Sequence, residues 1–183
     1  MANKKIKFTS PFGTAKYPHI SSPDTKGKFA DNKFKTKLVF NLNDEAARQF
    51  IKACDDAARD IHGSAGDRLY KPYAVNEAEG TVEFTFKSQY APAIFDAKNQ
   101  SAQKAQIGGG SVLRILGSFV EYDKGITAAL NQVQIKTLNS FGSSGFDAID
   151  DGYEYDGSEE SVFDNAETDN GGSESNAKGS LDI

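Results

Sequence analysis

The stretch FKTKLVFNL at residues 34–42 sets Phe34, Thr36, Leu38 and Phe40 against Lys35, Lys37 and Val39. A period of two of this kind marks a half-buried β-strand, here with one apolar and one basic face. Working outward, GTVEFTFKSQY at 80–90 repeats the pattern, with Val82, Phe84 and Phe86 facing one way and Thr81, Glu83, Thr85 and Lys87 the other. KKIKFTS at 4–10 alternates Ile6 and Phe8 with Lys5 and Lys7. RLYKPYAV, PAIFDA, SVLRILGSFVEYD and GITAALNQVQIKTLN extend the set, and Pro72 marks an edge or bulge in the first of them. About six or seven short strands with glycine-rich joins predict a small closed barrel or a sandwich.

One helix interrupts the strands. DEAARQFIKACDDAARDIH places Ala47, Phe50, Ile51, Cys54, Ala58 and Ile61 on one face, with Asn43 as the N-cap and Gly63 as the stop. Cys54 falls on the buried stripe and His62 at the helix C-terminus, so both read as structural. The segment SPFGTAKYPHISSPDTKGKFADNK has turn and loop chemistry, and it displays Phe12, Tyr17 and Phe29 among lysines.

Charge divides the chain sharply. Residues 1–140 carry 20 basic and 14 acidic side chains, a surplus of six, whereas residues 141–183 carry 1 basic and 12 acidic, a deficit of eleven. From about Phe141 the hydrophobic periodicity stops and Gly, Ser, Asp, Glu and Asn dominate, the composition of a segment that cannot offset its ordering entropy. The expected organisation is a folded domain over 1–140 and a flexible, disordered acidic tail over 141–183. A basic body joined to an acidic tail points to a polyanionic partner. The chain shows neither an apolar leader nor a run of 18 apolar residues, so a cytoplasmic protein without membrane insertion is expected.

Several chemistries are set aside. A single cysteine and two histidines, His19 and His62, give no zinc-ligand spacing and no Ser/His/Asp set. QIGGGSVLRI at 106–115 lacks the Lys-Ser/Thr of a P-loop and leads into a strand. Asp147, Asp150, Asp151 and Glu154 lie in the stretch read as flexible, where carboxylates are not held at the fixed separation that metal-ion catalysis needs. Neither an enzyme nor a cofactor or metal is expected. What remains is the interleaving of aromatic and basic residues: Lys16 with Tyr17, Arg68 with Tyr70, Lys71 and Tyr73, Lys87 with Tyr90, Arg114, and Tyr122 with Lys124. Single-stranded nucleic acid exposes base faces and phosphates together, so stacking rings beside cations suit it, at about 1–3 kcal/mol per stacked base. Tyr70, Tyr73, Tyr90 and Tyr122 read as exposed rings, and Phe40, Phe84 and Phe86 as core. Two rival readings stand beside this one: an interaction scaffold whose acidic tail mimics nucleic acid, and a duplex-binding architectural protein.

The blocks KIKFTSPFGTAKYPHISSPD, YKPY, TVEFTFKSQY, IGGGSVLRI and LNSFG, followed by an acidic tail, resemble the single-stranded DNA-binding proteins of T-seven-type bacteriophages. The resemblance runs in order over nearly the whole chain. It implies a mainly β fold, an OB-fold barrel with one α-helix and a disordered acidic C-terminal tail, with no catalytic activity and a role in phage DNA replication and recombination in the host cytoplasm. It also implies that the tail occupies the DNA groove when DNA is absent and contacts DNA polymerase and helicase-primase, and it leaves room for a homodimer. The DNA-contacting positions that follow are Lys5, Lys7, Arg68, Tyr70, Lys71, Tyr73, Lys87, Tyr90 and Tyr122. Tyr17, Arg114 and Lys124 join them on the aromatic-basic pattern. Tails of that family commonly end on an aromatic residue; this one ends Leu181-Asp182-Ile183, with Phe163 as its only late phenylalanine.

Overall fold

A computed structural model describes residues 2–140. The expected disorder of 141–183 and the tail positions Phe163, Leu181, Asp182 and Ile183 lie outside the described residues. Nine strands and one α-helix follow in the order β1 (Lys5–Thr9), β2 (Gly13–His19), β3 (Phe34–Asn41), α1 (Glu45–His62), β4 (Tyr73–Asn76), β5 (Thr81–Ser88), β6 (Ala93–Phe95), β7 (Val112–Tyr122), β8 (Gly125–Ala129) and β9 (Gln132–Thr137). The protein is thus mainly β with one helix. Among the described residues no helix is long and apolar enough to cross a membrane.

Pairing follows the alternation. β3 and β5 run antiparallel with Thr36 opposite Phe86, Leu38 opposite Phe84 and Phe40 opposite Val82, and all six side chains are buried. The intervening pairs, Lys35 with Lys87, Lys37 with Thr85 and Val39 with Glu83, stand on the other face. The path β2-β3-β5-β8-β7 returns on itself, because β2 pairs with β7 as well as with β3. β1 then β2 line one side of β7, and β8 then β9 line the other.

Helix α1 supplies the ring on which the core packs. Phe50 lies 4.5 Å from Phe84, 5.4 Å from Phe8 and 5.8 Å from Phe119, centroid to centroid, in the tilted and edge-on arrangements that aromatic quadrupoles favour. Ala47, Cys54, Ala57, Ala58 and Ile61 share its buried face. Burial pushes the Cys54 thiol up to about 12, so it behaves as a small hydrophobe. The imidazole of His62 donates from Nε2 to the Gly125 carbonyl at 2.8 Å, tying the helix end to the β7–β8 turn.

Four expectations need correction. The N-cap is Asp44, whose carboxylate accepts from the Ala46 N–H at 3.1 Å, not Asn43. Ile51 is only partly buried, and Ala57 takes its share of the helix face. Residues 13–19, read as part of a loop, form β2, because the β3 edge on one side and β7 on the other supply pairing that local composition does not announce. GITAALNQVQIKTLN is two strands broken at Leu130–Asn131, which brings the count to nine.

Phe50→Ala should remove about 3–5 kcal/mol of stability, as for other large-to-small core changes. Equilibrium urea unfolding followed by circular dichroism measures this directly; a loss below 1 kcal/mol would mean that the helix is peripheral to the core.

Candidate nucleic-acid interface

The outward face of β3 and β5 stacks like charges directly across strands: Lys35 opposite Lys87, and, one strand over, Lys16 opposite Lys37. Such pairs are unfavourable unless a counter-charge intervenes. Glu83 accepts from Lys16 at 2.6 Å and lies 3.8 Å from Lys37. Asp31 lies 3.3 Å from Lys35 and 3.7 Å from Lys87, and Asp24 lies 2.6 Å from Lys35. Asp24 and Asp31 come from the β2–β3 loop, so neutralising the ladder also fastens that loop over the sheet. The hydrogen bond from Lys35 holds the Asp24 carboxyl below its ordinary value. Partial burial works against the Asp31 charge, but the Lys33 backbone N–H and Lys35 outweigh it and lower its pKa. Burial likewise opposes the Lys35 charge, and its two carboxylate partners more than compensate.

Two adjoining depressions, of about 690 and 630 Å³, run across this face and share Tyr70, Thr85 and Lys87 in their walls. The first is also lined by Lys5, Lys33 and Tyr122, the second by Tyr17, Phe29 and Lys37. Phe29 is 85% exposed, Tyr17 69% and Tyr70 51%, so three rings present apolar faces to water beside cations. Lys5 and Lys33 form no ion pair among the described residues.

Local backbone geometry aims these rings. Tyr17 has φ 50°, a conformation bulky residues rarely adopt, at the point where the β2–β3 register shifts between Lys16 and His19. A bulge re-aims a side chain, and this one turns the Tyr17 ring outward. Tyr70 is held by its backbone: its N–H donates to the Lys124 carbonyl at 2.9 Å and its carbonyl accepts from Ile126 at 3.0 Å. A side chain at Gly125, φ 149°, would strike the Tyr70 carbonyl oxygen, so only glycine lets the two segments pass. Tyr70 then meets Tyr122 edge to face at 6.0 Å. Tyr122 is half-buried, and desolvation raises its phenol pKa.

The structure therefore gathers Lys5, Tyr17, Tyr70, Lys87 and Tyr122 from the sequence-based set. It does not gather the others. Tyr73, read as an exposed ring, is half-buried: its ring packs 5.2 Å from Phe84 and its hydroxyl donates to Asp55 at 2.7 Å, with burial first and then Asp55 raising its pKa. Lys71 pairs with the same carboxylate at 3.1 Å. Asp55 of α1 thus draws both side chains to the helix side. Tyr90 is exposed at 79%, and Arg68 and Lys124 are exposed, but none of the three lines the depressions. Lys7 and Arg114 lie further along β1 and β7. The groove residues absent from the sequence-based set include His19, Phe29, Lys33, Lys35, Lys37 and Thr85. The polar positions of β3 signalled Lys35 and Lys37, and the lysine-flanked loop signalled Phe29.

No family model matches the sequence, and no curated protein matches it. Among solved structures the chain is similar to gp2.5, a single-stranded DNA-binding protein encoded by bacteriophage T7, at 22% identity and a TM-score of 0.63, over 83% of this chain and 100% of that one. It is also similar to the single-stranded DNA-binding protein of bacteriophage Enc34, at 18% identity and a TM-score of 0.54, over 78% and 87% of the two chains. The same Enc34 protein in complex with single-stranded DNA matches at 17% identity and 0.52, over 75% and 89%. The chain shares the fold of these phage proteins.

Because the Asp24 and Asp31 values are depressed, their stabilising contribution is present above the ordinary carboxylate range near pH 4 and is lost as pH falls through their lower folded-state values. Carbon-detected NMR titration should find both carboxyls titrating below the exposed aspartates, with Lys35→Met returning Asp24 toward the ordinary range. An unchanged Asp24 titration in that variant would show that the ion pair does not hold the loop.

Proposed function

We propose that this protein binds single-stranded DNA with little sequence preference, stacking bases on Tyr17, Phe29, Tyr70 and Tyr122 and pairing phosphates with Lys5, Lys33, Lys35, Lys37 and Lys87. The observation that carries the reading is the run of exposed rings set among lysines along one groove. A duplex hides its base faces, whereas a single strand offers faces and phosphates together. The fold shared with phage single-stranded DNA-binding proteins, one of them solved with DNA, supports the assignment. The closed pairing circuit supports reading residues 1–140 as an OB-fold barrel, with the groove on the β3–β5 face and the β2–β3 loop along its rim. The protein is read as non-enzymatic, acting in the host cytoplasm on strands exposed during phage replication and recombination.

The acidic segment 141–183 completes the proposal. Carrying a deficit of eleven charges beside a body with a surplus of six, it competes for the basic groove at high effective concentration and is released when DNA arrives. Once released, the acids with Phe163 and Leu181-Asp182-Ile183 are offered to basic, partly apolar pockets on a DNA polymerase or helicase-primase. The same reading includes a homodimer.

Fluorescence titration against labelled oligo-dT across a salt series tests the core of the reading: binding should weaken log-linearly with salt, by about 0.7 of slope per phosphate contacted. Lack of binding at low salt, or affinity indifferent to salt, would overturn it. Tyr17→Gly is the sharper variant. It removes a stacking ring worth about 1–3 kcal/mol while relieving a left-handed backbone, so DNA affinity should fall with thermal stability maintained or raised. Deleting 141–183 should tighten DNA binding several-fold at low salt and by less at high salt. Equal affinities for the full and shortened chains at low salt would leave the segment no competing role.

A further inference from the structure

Beyond the groove, the outer face of β1 and β7 carries a second line of cations. Lys5 stands opposite Val120, Lys7 opposite Ser118 and Thr9 opposite Leu116, so the lysines extend from the groove along β7. A depression of about 330 Å³ beside Lys7 and Ser118 continues this line, and shares Thr9 and Leu116 with a further one of about 380 Å³ walled by Arg114, Gln132 and Gln134. Tyr122, in the groove, and Arg114, at the far end, are eight residues apart on one strand, about 26 Å at the rise of a β-strand. At that end Phe12 is partly exposed, with the Arg114 guanidinium 4.9 Å and the Lys136 ammonium 5.3 Å from its ring centroid. Gln134 accepts from Arg114 Nε at 2.7 Å and fixes the guanidinium plane.

The charge balance sets this end apart from the β3–β5 part of the groove, though Lys5 and Lys33 at the groove's other side likewise form no ion pair among the described residues. Lys35, Lys37 and Lys87 each have a carboxylate within 4 Å. Among the described residues no carboxylate pairs with Lys7, Arg114 or Lys136. Two uncompensated cations beside an aromatic ring, one of them a fixed guanidinium plane, fit phosphates and a base together, and Lys7 lies on the path from the groove. Continuity with the groove selects the ligand as the same strand. We infer that single-stranded DNA leaving the groove continues along β1 and β7 to a second subsite formed by Phe12, Arg114 and Lys136, with Lys7 on the way. This rests on the DNA-binding reading above and extends it: the groove holds a short oligonucleotide alone, and a longer one reaches the second subsite.

Titration of the full-length protein with oligo-dT of about 5 and about 16 nucleotides, near the limits of what one OB-type domain covers, tests this. The longer oligonucleotide should show a log-log salt slope steeper by roughly two, since three more cations each contribute about 0.7. In the Phe12→Ala/Lys136→Ala variant, which alters only exposed side chains, the short oligonucleotide should bind as before. The longer one should bind several-fold more weakly, with its slope reduced by about 0.7. Equal slopes for the two lengths, or equal losses for both in the variant, would overturn the second subsite and leave groove binding in place. Binding of neither length by the unaltered protein would overturn the groove reading itself.

Discussion

The antiparallel pairing of β3 with β5 is the constraint on which the molecule depends. It is one ladder with two chemistries: Thr36, Leu38, Phe40, Val82, Phe84 and Phe86 turn inward, while Lys35, Lys37, Thr85 and Lys87 turn outward. A one-residue slip would exchange the faces, burying lysines and exposing phenylalanines. The core and the groove therefore cannot vary independently. Phe50 fixes the register from inside by packing on Phe84, Phe86 and Phe40. Asp24, Asp31 and Glu83 fix it from outside by neutralising the lysine ladder.

Those three carboxylates give the groove a character that a count of positive charges does not convey. Lys35 and Lys87 are already partnered by acids from the β2–β3 loop. On the proposed reading, a phosphate arriving at Lys35 or Lys87 would exchange one anion for another, whereas Lys5 and Lys33 would meet it unpaired. Discrimination between anions then depends on what accompanies the charge. On that reading, a phosphate chain would bring bases to the exposed rings of Tyr17, Phe29 and Tyr70, and a simple anion would bring nothing. Pairing within the free protein would then lower affinity for small anions at Lys35 and Lys87 while keeping the proposed stacking contribution whole, a division of labour between charge and rings.

How much was legible in the sequence follows from the range of each interaction. Alternation in β3 and β5, the buried stripe of α1 and the structural roles of Cys54 and His62 are local, and were readable from a few residues each. β2 was not, because Gly13, Pro18 and the neighbouring serines have loop composition and one of its two pairing partners, β7, stands far away in sequence. Lys71 and Tyr73 read as DNA-contacting from their place in YKPY. The side on which they lie is set by Asp55, one helix earlier, which accepts from both. Arg114 and Tyr122 share one strand face, yet they fall at its opposite ends, a separation that a residue list cannot express. Phe29 was visible as an exposed aromatic, but its place beside Tyr17 and Lys37 depends on the loop being fastened by Asp24 and Asp31.

Strand β7 is paired on both sides along its length, and its partners on one side come from the beginning of the chain: Lys5 meets Val120, and Gly13 meets Leu113. The members of these pairs stand 115 and 100 positions apart. Closing such contacts means paying the loop entropy of nearly the whole domain before any reward is collected, which places folding toward the slow, millisecond-to-second end for a domain of this size. During synthesis β1 and β2 emerge before β7 and must wait for residues 112–122, with Phe8 and one edge of β2 lacking their final partners. The basic residues that alternate with Phe8 on β1, Lys5 and Lys7, keep that waiting strand from pairing with its own copies on neighbouring ribosomes. The same lysines thus serve the nascent chain before they can serve any ligand.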